Sequence, residues 1–216
     1  GAGGEVMDAT GDQGRAGARP ARREPAPKRG GRFRRALLVA CGALGAGAVS
    51  AAIWIAALGP PPLPDTRDVS VSIVDRNGRM LRAYAMADGR WRLPAKAASD
   101  VDPRYIEMLL GYEDRRFRTH HGVDPLALAR AVGQFVGQGR VVSGGSTLTM
   151  QVARLIEPRG ERSLRAKLRQ IARALAIERT LEKDDILDLY LTRAPFGGNL
   201  EGVRAASLAY FGKEPR

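Results

Sequence analysis

The sequence predicts a mainly α-helical domain that carries a small membrane-proximal β-hairpin and is preceded by one transmembrane helix. Three observations predict this fold class. An apolar run without a charge covers residues 36–58, an alternating stretch with a turn at Asn77 and Gly78 follows, and apolar residues recur at helical spacing from Asp102 onward. The chain has 216 residues, 44% of them apolar, which is enough for one full domain and an appendage.

The N-terminal part predicts a tail, an anchor and a spacer. Residues 1–35 are basic and lack apolar periodicity, which indicates a disordered tail. Residues 36–58 would span roughly 34 Å as a helix, enough to cross a hydrocarbon core. Because four arginines stand just before this run, the tail is expected in the cytoplasm and the domain outside. A cleaved signal peptide is the alternative, but its apolar region would be shorter. Residues 59–68 contain four prolines and predict a stiff spacer.

Charge and cysteine content narrow the function classes. The formal net charge is +12, but the positive residues are not grouped with aromatic ones, so a nucleic-acid surface is not indicated. The single cysteine, Cys41, can form no intrachain disulfide. His120 and His121 are the only histidines and no cysteine lies nearby, so we expect no metal site.

The elements of the domain, residues 69–216, follow from local patterns. Alternation around the turn at residues 77–78 predicts a hairpin ending near Tyr84. An aspartate before a proline predicts helix starts at Asp102 and Asp124. Residues 163–181 predict a helix, and two more are predicted over 184–192 and 200–210. The apolar stripe of the first of these three helices consists of Leu164, Leu168, Ile171 and Leu175.

Residues 144–154, GGSTLTMQVAR, predict an anion-binding helix start. The glycines allow close approach to a ligand, Ser146 is placed to cap the helix, and the free amides of a helix N-terminus favour negative charge. Gln151 and Arg154 follow on one face of that helix. The alternative is an ordinary capped helix after a loop.

Residues 113–122, EDRRFRTHHG, predict a carboxylate site. Glu113 ends a helical stretch and opens a loop, where partial burial can raise the pKa of a carboxyl group and so suit it to general acid or base work. The alternative is a surface carboxylate that pairs with Arg115 or Arg116.

Together these segments resemble the five ordered motifs of glycosyltransferase family 51, the peptidoglycan polymerase domain of class A penicillin-binding proteins. The motifs are EDRRFRTHHGVDPLALARA, GGSTLTMQVAR, RSLRAKLRQIARALAIE, KDDILDLYL and GGNLEGVRAASLAYFGK, and two details, PFGGNLEGVRAAS and KLRQIARALAIE, look most like the 1C type. The resemblance implies a lysozyme-like domain on the outer face of the bacterial cytoplasmic membrane. It implies that this domain polymerises lipid II into glycan strands and releases undecaprenyl diphosphate, with lipid II, the growing strand and the membrane as partners. No cofactor is implied, and a divalent cation is left open.

The same resemblance assigns roles to single residues. Glu113 matches the catalytic base, and Gln170 stands where many members carry a second glutamate, with Glu178 two turns further on. Because a glutamine can hydrogen-bond but cannot exchange a proton, Glu113 is the one expected catalytic carboxylate. The donor-side motif is matched by Ser146, Thr147, Gln151 and Arg154, the third motif by Lys167, and cleft-shaping positions by Asp114, Phe117 and His120.

Family domains continue beyond the YFGK segment, and class A proteins then carry a transpeptidase domain. We therefore expect residues 69–216 to be a C-terminally incomplete domain within an N-terminal fragment that is inactive alone. Two alternatives remain: a lysozyme-like hydrolase that cleaves glycan, and a non-catalytic membrane scaffold that binds lipid II. The basic helix after Ser163 suits a diphosphate donor better than a neutral polysaccharide.

Overall fold

The computed structural model describes residues 30–65, 67–138, 145–158 and 163–216. Across these ranges the chain forms eight helices and four short strands, so the mainly α prediction is confirmed. The chain divides into two units, Gly1–Ala52 and Ile53–Arg216. Most of the predicted tail, residues 1–29, lies outside the described residues.

Helix α1 spans Gly30–Ala57 and so begins before the predicted start at residue 36. Within it, Arg34–Ala57 is the one described helical stretch that is long and apolar enough to cross a membrane. Its large apolar side chains lie exposed, as shown by Leu38, Val39 and Leu44, each at least 70% accessible. A helix with this exposed apolar surface fits a lipid environment and not a protein core.

The predicted hairpin is present as two antiparallel strands, β1 (Ser72–Val74) and β2 (Met80–Ala83). The Asp75 carboxylate accepts hydrogen bonds from the backbone N–H groups of Asn77 and Arg79, both at 2.8 Å, and so fixes the turn. The pairing register shifts between Ile73 and Val74, which indicates a β-bulge.

A second two-stranded sheet joins distant parts of the chain, and it corrects one prediction. Strand β3 (Trp91–Arg92) pairs in parallel with β4 (Leu200–Glu201), and the Trp91 N–H donates to the Asn199 carbonyl at 2.9 Å. The helix predicted over residues 200–210 therefore begins only at Val203. Pairing with a distant strand satisfies the backbone of residues 200–201, and local sequence patterns do not show such a partner.

The remaining helices confirm the predicted starts at both aspartate-proline pairs. The Asp102 carboxylate caps α3 by accepting from the Arg104 N–H at 2.8 Å, and Asp124 accepts from the N–H groups of Leu126 and Ala127. The helices are α2 (Ala97–Asp100), α3 (Pro103–Glu113), α4 (Pro125–Gln138), α5 (Leu148–Ile156), α6 (Leu164–Glu178), α7 (Lys183–Arg193) and α8 (Val203–Phe211).

The core lies around α5 and α7. Leu148 at the start of α5 and Ile186 and Leu187 in α7 have no accessible surface, and Phe117 from the loop after α3 is 1% exposed. Helix α5 packs against both α6 and α7. The start of α5, which carries the predicted donor-side motif, is therefore held inside the core.

Helix α6 buries a different face from the predicted one. Leu164 and Leu168 are 86% and 58% exposed, so the predicted apolar stripe does not form the buried face. The inward residues are Ala172, Arg173, Ala174 and Ile177. Small alanine side chains let a neighbouring backbone approach, and the guanidinium of Arg173 has buried partners, described below.

Gly202, just before α8, provides a test of this packing. It has φ +85°, and an added Cβ would lie 2.5 Å from the Thr192 carbonyl oxygen. We expect Gly202→Ala to lower the free energy of unfolding by about 3 kcal/mol, because both backbone strain and a clash with backbone atoms result. Urea unfolding measures this loss.

Gly198→Ala is the matched control, because Gly198 has φ +55° but open space around its α-carbon. It should cost only about 1 kcal/mol, from backbone strain alone. Equal losses in the two variants would show that the contact with Thr192 is unimportant.

Candidate active site

Glu113 meets α5 through a side-chain hydrogen bond. It is the last residue of α3, is half-buried, and its Oε2 accepts from Gln151 Nε2 at 2.8 Å. The structure thus brings together the predicted carboxylate segment and the predicted donor-side segment. Gln151 fixes one oxygen of the carboxylate with a neutral donor, which leaves the charge of Glu113 unpaired by this contact.

Asp114, the next residue, binds the first residue of α5. Its buried carboxylate accepts from the Leu148 N–H at 2.8 Å and from His120 Nε2 at 2.9 Å. The Leu148 amide belongs to the first turn of a helix and has no partner within that helix, so Asp114 satisfies it. Asp114 and His120 therefore position α5 beside Glu113.

Thr147, and not Ser146, caps α5. Thr147 Oγ1 accepts from the Met150 N–H at 3.2 Å and donates to the Gly122 carbonyl at 2.6 Å. The predicted capping by Ser146 is therefore wrong. Ser146 Oγ instead lies 2.5 Å from Lys167 Nζ on α6. Gly144, the first residue of the predicted segment, lies outside the described residues.

The start of α5 also differs from the expected anion site. Asp114 already binds the Leu148 amide and Thr147 binds the Met150 amide, and Leu148, Thr149 and Met150 are at most 1% exposed. The amides of these three residues are thus not presented to a ligand. Among the described residues of α5 and α6, side chains are the groups that could hold an anion here.

Lys167 on α6 lies beside this helix start, in contact with Ser146, whereas Arg154 lies in the last turn of α5. Burial lowers the pKa of Lys167, and the nearby charge of Arg154 lowers it further. Arg154 is exposed. Two neighbouring cations repel each other, and an anion bound between them would relieve that repulsion.

Gln170 and Glu178 lie further along α6. Gln170 is half-buried one turn after Lys167, and no contact among the described residues joins it to Glu113. The Glu178 carboxylate is buried and accepts hydrogen bonds from Thr149 Oγ1 and Lys183 Nζ, both at 2.6 Å. Glu178 is thus a structural partner within the helical body and not an available acid.

Phe117 lies in the loop after α3. Its ring is buried, with Lys183 Nζ 4.6 Å from the ring centroid and His120 at its edge. A cation over an aromatic face is attracted by the ring quadrupole. Phe117 therefore supports the loop that carries Asp114 and His120.

Two cavities flank the contact between Glu113 and Gln151. The Glu113 cavity has about 420 Å³, and the Arg154 cavity has about 680 Å³. The predicted residues are thus divided between two spaces. Glu113, Asp114, Ser146 and Thr147 line the Glu113 cavity, whereas Gln151, Arg154, Tyr190, Asn199, Arg90, Arg92 and Arg193 are among those lining the Arg154 cavity.

Most arginines of the Arg154 cavity are neutralised by carboxylates. Arg92 pairs with Glu201 at 2.5 Å and with Asp68 at 2.8 Å, and Arg193 pairs with Asp68 at 2.6 Å. The hydrogen bond from Arg193 is the main cause that lowers the pKa of Asp68. In the described part of the chain Arg154 has no such partner, so its charge is available to a ligand.

Tyr105 and Tyr190 are site neighbours that the sequence analysis missed. Burial raises the pKa of Tyr190 to about 12, and the charges of Glu113 and Tyr105 contribute. Burial and the charge of Glu113 also raise the pKa of Tyr105. Both phenols therefore keep their protons at neutral pH, close to Glu113. Tyr190 belongs to the segment KDDILDLYL, but no local sequence pattern indicates that it lies near Glu113.

Comparison with known proteins identifies relatives of this chain. The family model described as Transglycosylase matches residues 77–216. The chain is 52% identical over 158 residues to penicillin-binding protein 1C of Escherichia coli (strain K12). The aligned region covers 73% of this chain and 20% of that protein. The chain is also 36% identical over 145 residues to penicillin-binding protein 1A of Pseudomonas aeruginosa. That alignment covers 67% of this chain and 17% of that protein. The chain thus spans about a fifth of the length of these relatives.

The cap at Thr147 provides a test of the geometry described above. We expect Thr147→Val to lower the free energy of unfolding by about 1–3 kcal/mol, because it removes two buried hydrogen bonds while keeping side-chain volume. Urea denaturation measures the loss. Thr180→Val is the control, since the exposed Thr180 hydroxyl, just after α6, donates to the Ala176 carbonyl and makes no other side-chain hydrogen bond among the described residues. If the two variants lose the same stability, Thr147 is not the cap.

Proposed function

The chain belongs to the transglycosylase family, and we propose that its domain is a peptidoglycan glycosyltransferase. In this proposal it polymerises lipid II into glycan strands at the bacterial cytoplasmic membrane and releases undecaprenyl diphosphate. The N-terminus lies in the cytoplasm, α1 crosses the membrane, and the domain faces outward. The family match and the resemblance to penicillin-binding proteins support this proposal.

The contact between Glu113 and Gln151 carries the chemical argument. Transfer requires a base for the 4-hydroxyl of the acceptor sugar and cations for the departing diphosphate. Glu113 has one oxygen held by Gln151 and lines a cavity, which suits a base. Lys167 and Arg154 form the cationic pair on the adjacent helices.

The reaction is a direct displacement. Glu113 takes the proton from the acceptor 4-hydroxyl as that oxygen bonds to the anomeric carbon of the donor. The bond from the anomeric carbon to the diphosphate oxygen breaks, and the diphosphate leaves with the electron pair. A single displacement inverts the configuration at that carbon.

Lys167 and Arg154 stabilise the leaving group in this scheme. Charge accumulates on the bridging oxygen as the bond breaks, and fixed cations stabilise that charge without reorganising. Ser146 lies 2.5 Å from Lys167 Nζ and so fixes the ammonium position. The cleft is shaped by Asp114, Phe117 and His120. Gln170 can form hydrogen bonds but exchanges no proton in this scheme.

Glu113→Gln tests the catalytic role. In the full-length protein in detergent, we expect polymerisation of labelled lipid II to fall roughly 100- to 10,000-fold, because the amide cannot accept the proton. Gel separation of the glycan products measures this. Glu107→Gln is the matched control, an exposed glutamate on the same helix, and it should retain activity.

Retained polymerisation in Glu113→Gln would contradict the proposal. Binding of lipid II without turnover in the unmodified protein would favour the non-catalytic scaffold. Shortening of preformed glycan would favour a hydrolase.

The low pKa of Lys167 predicts a pH dependence. Because burial and the nearby Arg154 lower this pKa, Lys167 loses its charge at lower pH than an ordinary lysine. The charged form is needed for the diphosphate, so kcat/KM should fall on the alkaline side. In Lys167→Arg the guanidinium stays charged, and the alkaline limb should move to higher pH. Identical alkaline limbs in the two proteins would show that Lys167 does not titrate in this reaction.

A further inference from the structure

Arg173 on α6 binds the segment that follows the apolar helix α1. Its guanidinium donates to the carbonyl oxygens of Leu58 at 3.0 Å, Gly59 at 2.8 Å and Pro60 at 2.9 Å. We call residues 58–60 the exit segment. All of these residues belong to the unit Ile53–Arg216.

The contact is unusual for a charged residue because Arg173 is only 7% exposed. Burial of a cation is costly unless its donors are satisfied. Four of its N–H groups are accounted for: three bind the exit segment, and Nε binds Glu157 at 2.9 Å. Glu157 thus supplies the counter-charge of the buried guanidinium, and the exit segment accepts three of its hydrogen bonds.

The exit segment is also in need of donors. Leu58 and Gly59 directly follow the last residue of α1, where carbonyl groups lack partners within the helix and a cation is favoured by the helix dipole. Pro60, Pro61 and Pro62 have no N–H of their own. A planar fork of donors matches several neighbouring carbonyls, and a lysine ammonium would not reach them in the same arrangement.

Glu157 extends this link to α5. It follows the last residue of α5 and binds Arg173 as well as Arg169, the latter at 2.6 Å. The exit segment, the end of α5 and the middle of α6 thus meet at one ionic cluster. Helix α6 carries Lys167 and Gln170 one to two turns before Arg173, at about 1.5 Å of rise per residue.

We propose that Arg173 is a positioning residue that sets the height of the diphosphate-binding cations above the membrane. This inference rests on the proposed function. A lipid-linked donor cannot leave the plane of the bilayer, so its diphosphate lies at headgroup level. By holding the exit segment against α6, Arg173 keeps Lys167 and Arg154 at the level where that diphosphate lies.

The contact that Arg173 makes between the exit segment and α6 can be tested without an activity assay. Spin labels are placed on the exposed residues Pro62 and Arg165, as Pro62→Cys and Arg165→Cys, in the full-length protein carrying Cys41→Ala. In vesicles, the distance distribution between the labels should be narrow, and it should broaden in Arg173→Met. An unchanged distribution would overturn the proposal.

The functional part compares two donors. Arg173→Met should lower kcat/KM for lipid II in vesicles by roughly ten- to a hundredfold, because small misplacements of a site are costly, and should change it less than about threefold for a water-soluble analogue with a short prenyl chain. A merely structural role would lower both rates equally, so equal losses, or no loss, would overturn the proposal. Retained turnover of the soluble analogue also shows that the variant is folded.

Arg169→Met is the matched control. Arg169 shares Glu157 with Arg173, but no contact among the described residues joins it to the exit segment, so both donors should react at near normal rates. Arg173→Lys keeps the charge and should still lose the preference for the membrane donor. If the unmodified protein elongates neither donor, the proposed function is overturned, and with it the positioning role of Arg173. The distances between the spin labels report separately whether Arg173 holds the exit segment against α6.

Discussion

The bond between the Asp114 carboxylate and the Leu148 N–H joins the two halves of the site. Asp114 directly follows the last residue of α3, Leu148 begins α5, and both are buried. A buried carboxylate is stable only with its partners in place, so this contact fixes the helices rather than merely linking them. The contact of Glu113 with Gln151 depends on it, because each of those residues lies within a few positions of the joint. Ser146, two residues before Leu148, contacts Lys167 on α6.

Much of the fold could be predicted from local chemistry. Asn77 with Gly78 indicated the hairpin, and the aspartate-proline pairs indicated two helix starts, because those signals act within a few residues. The sequence-based prediction was wrong where contacts with distant residues determine the secondary structure or the buried face of a helix. Leu200 joins a strand with Trp91, and Leu164 lies on the solvent side of α6 because that helix buries its alanines and Arg173. The choice between Ser146 and Thr147 as cap depends on backbone angles that two adjacent hydroxyl residues do not reveal.

The candidate site was predicted as a set of residues but not as an arrangement. Glu113 contacts Gln151, and Ser146 contacts Lys167, whereas Arg154 lines a cavity that Glu113 does not line. Which arginines are neutralised could not be read from the sequence, since Asp68 and Glu201 reach Arg92 only in the folded chain. The same holds for Tyr190, whose proximity to Glu113 arises from packing of α7. Sequence gives the functional groups, and tertiary packing decides which charges remain for a ligand.

The proposed function requires that side chains of α5 and α6 hold a diphosphate opposite Glu113. A crystal structure of the full-length protein with a phosphonate analogue of the lipid-linked donor would show whether they do. We expect phosphonate oxygens within hydrogen-bonding distance of Lys167 and Arg154, and the anomeric carbon facing Glu113. An analogue bound away from Lys167 and Arg154, with Glu113 still joined only to Gln151, would contradict the proposed function.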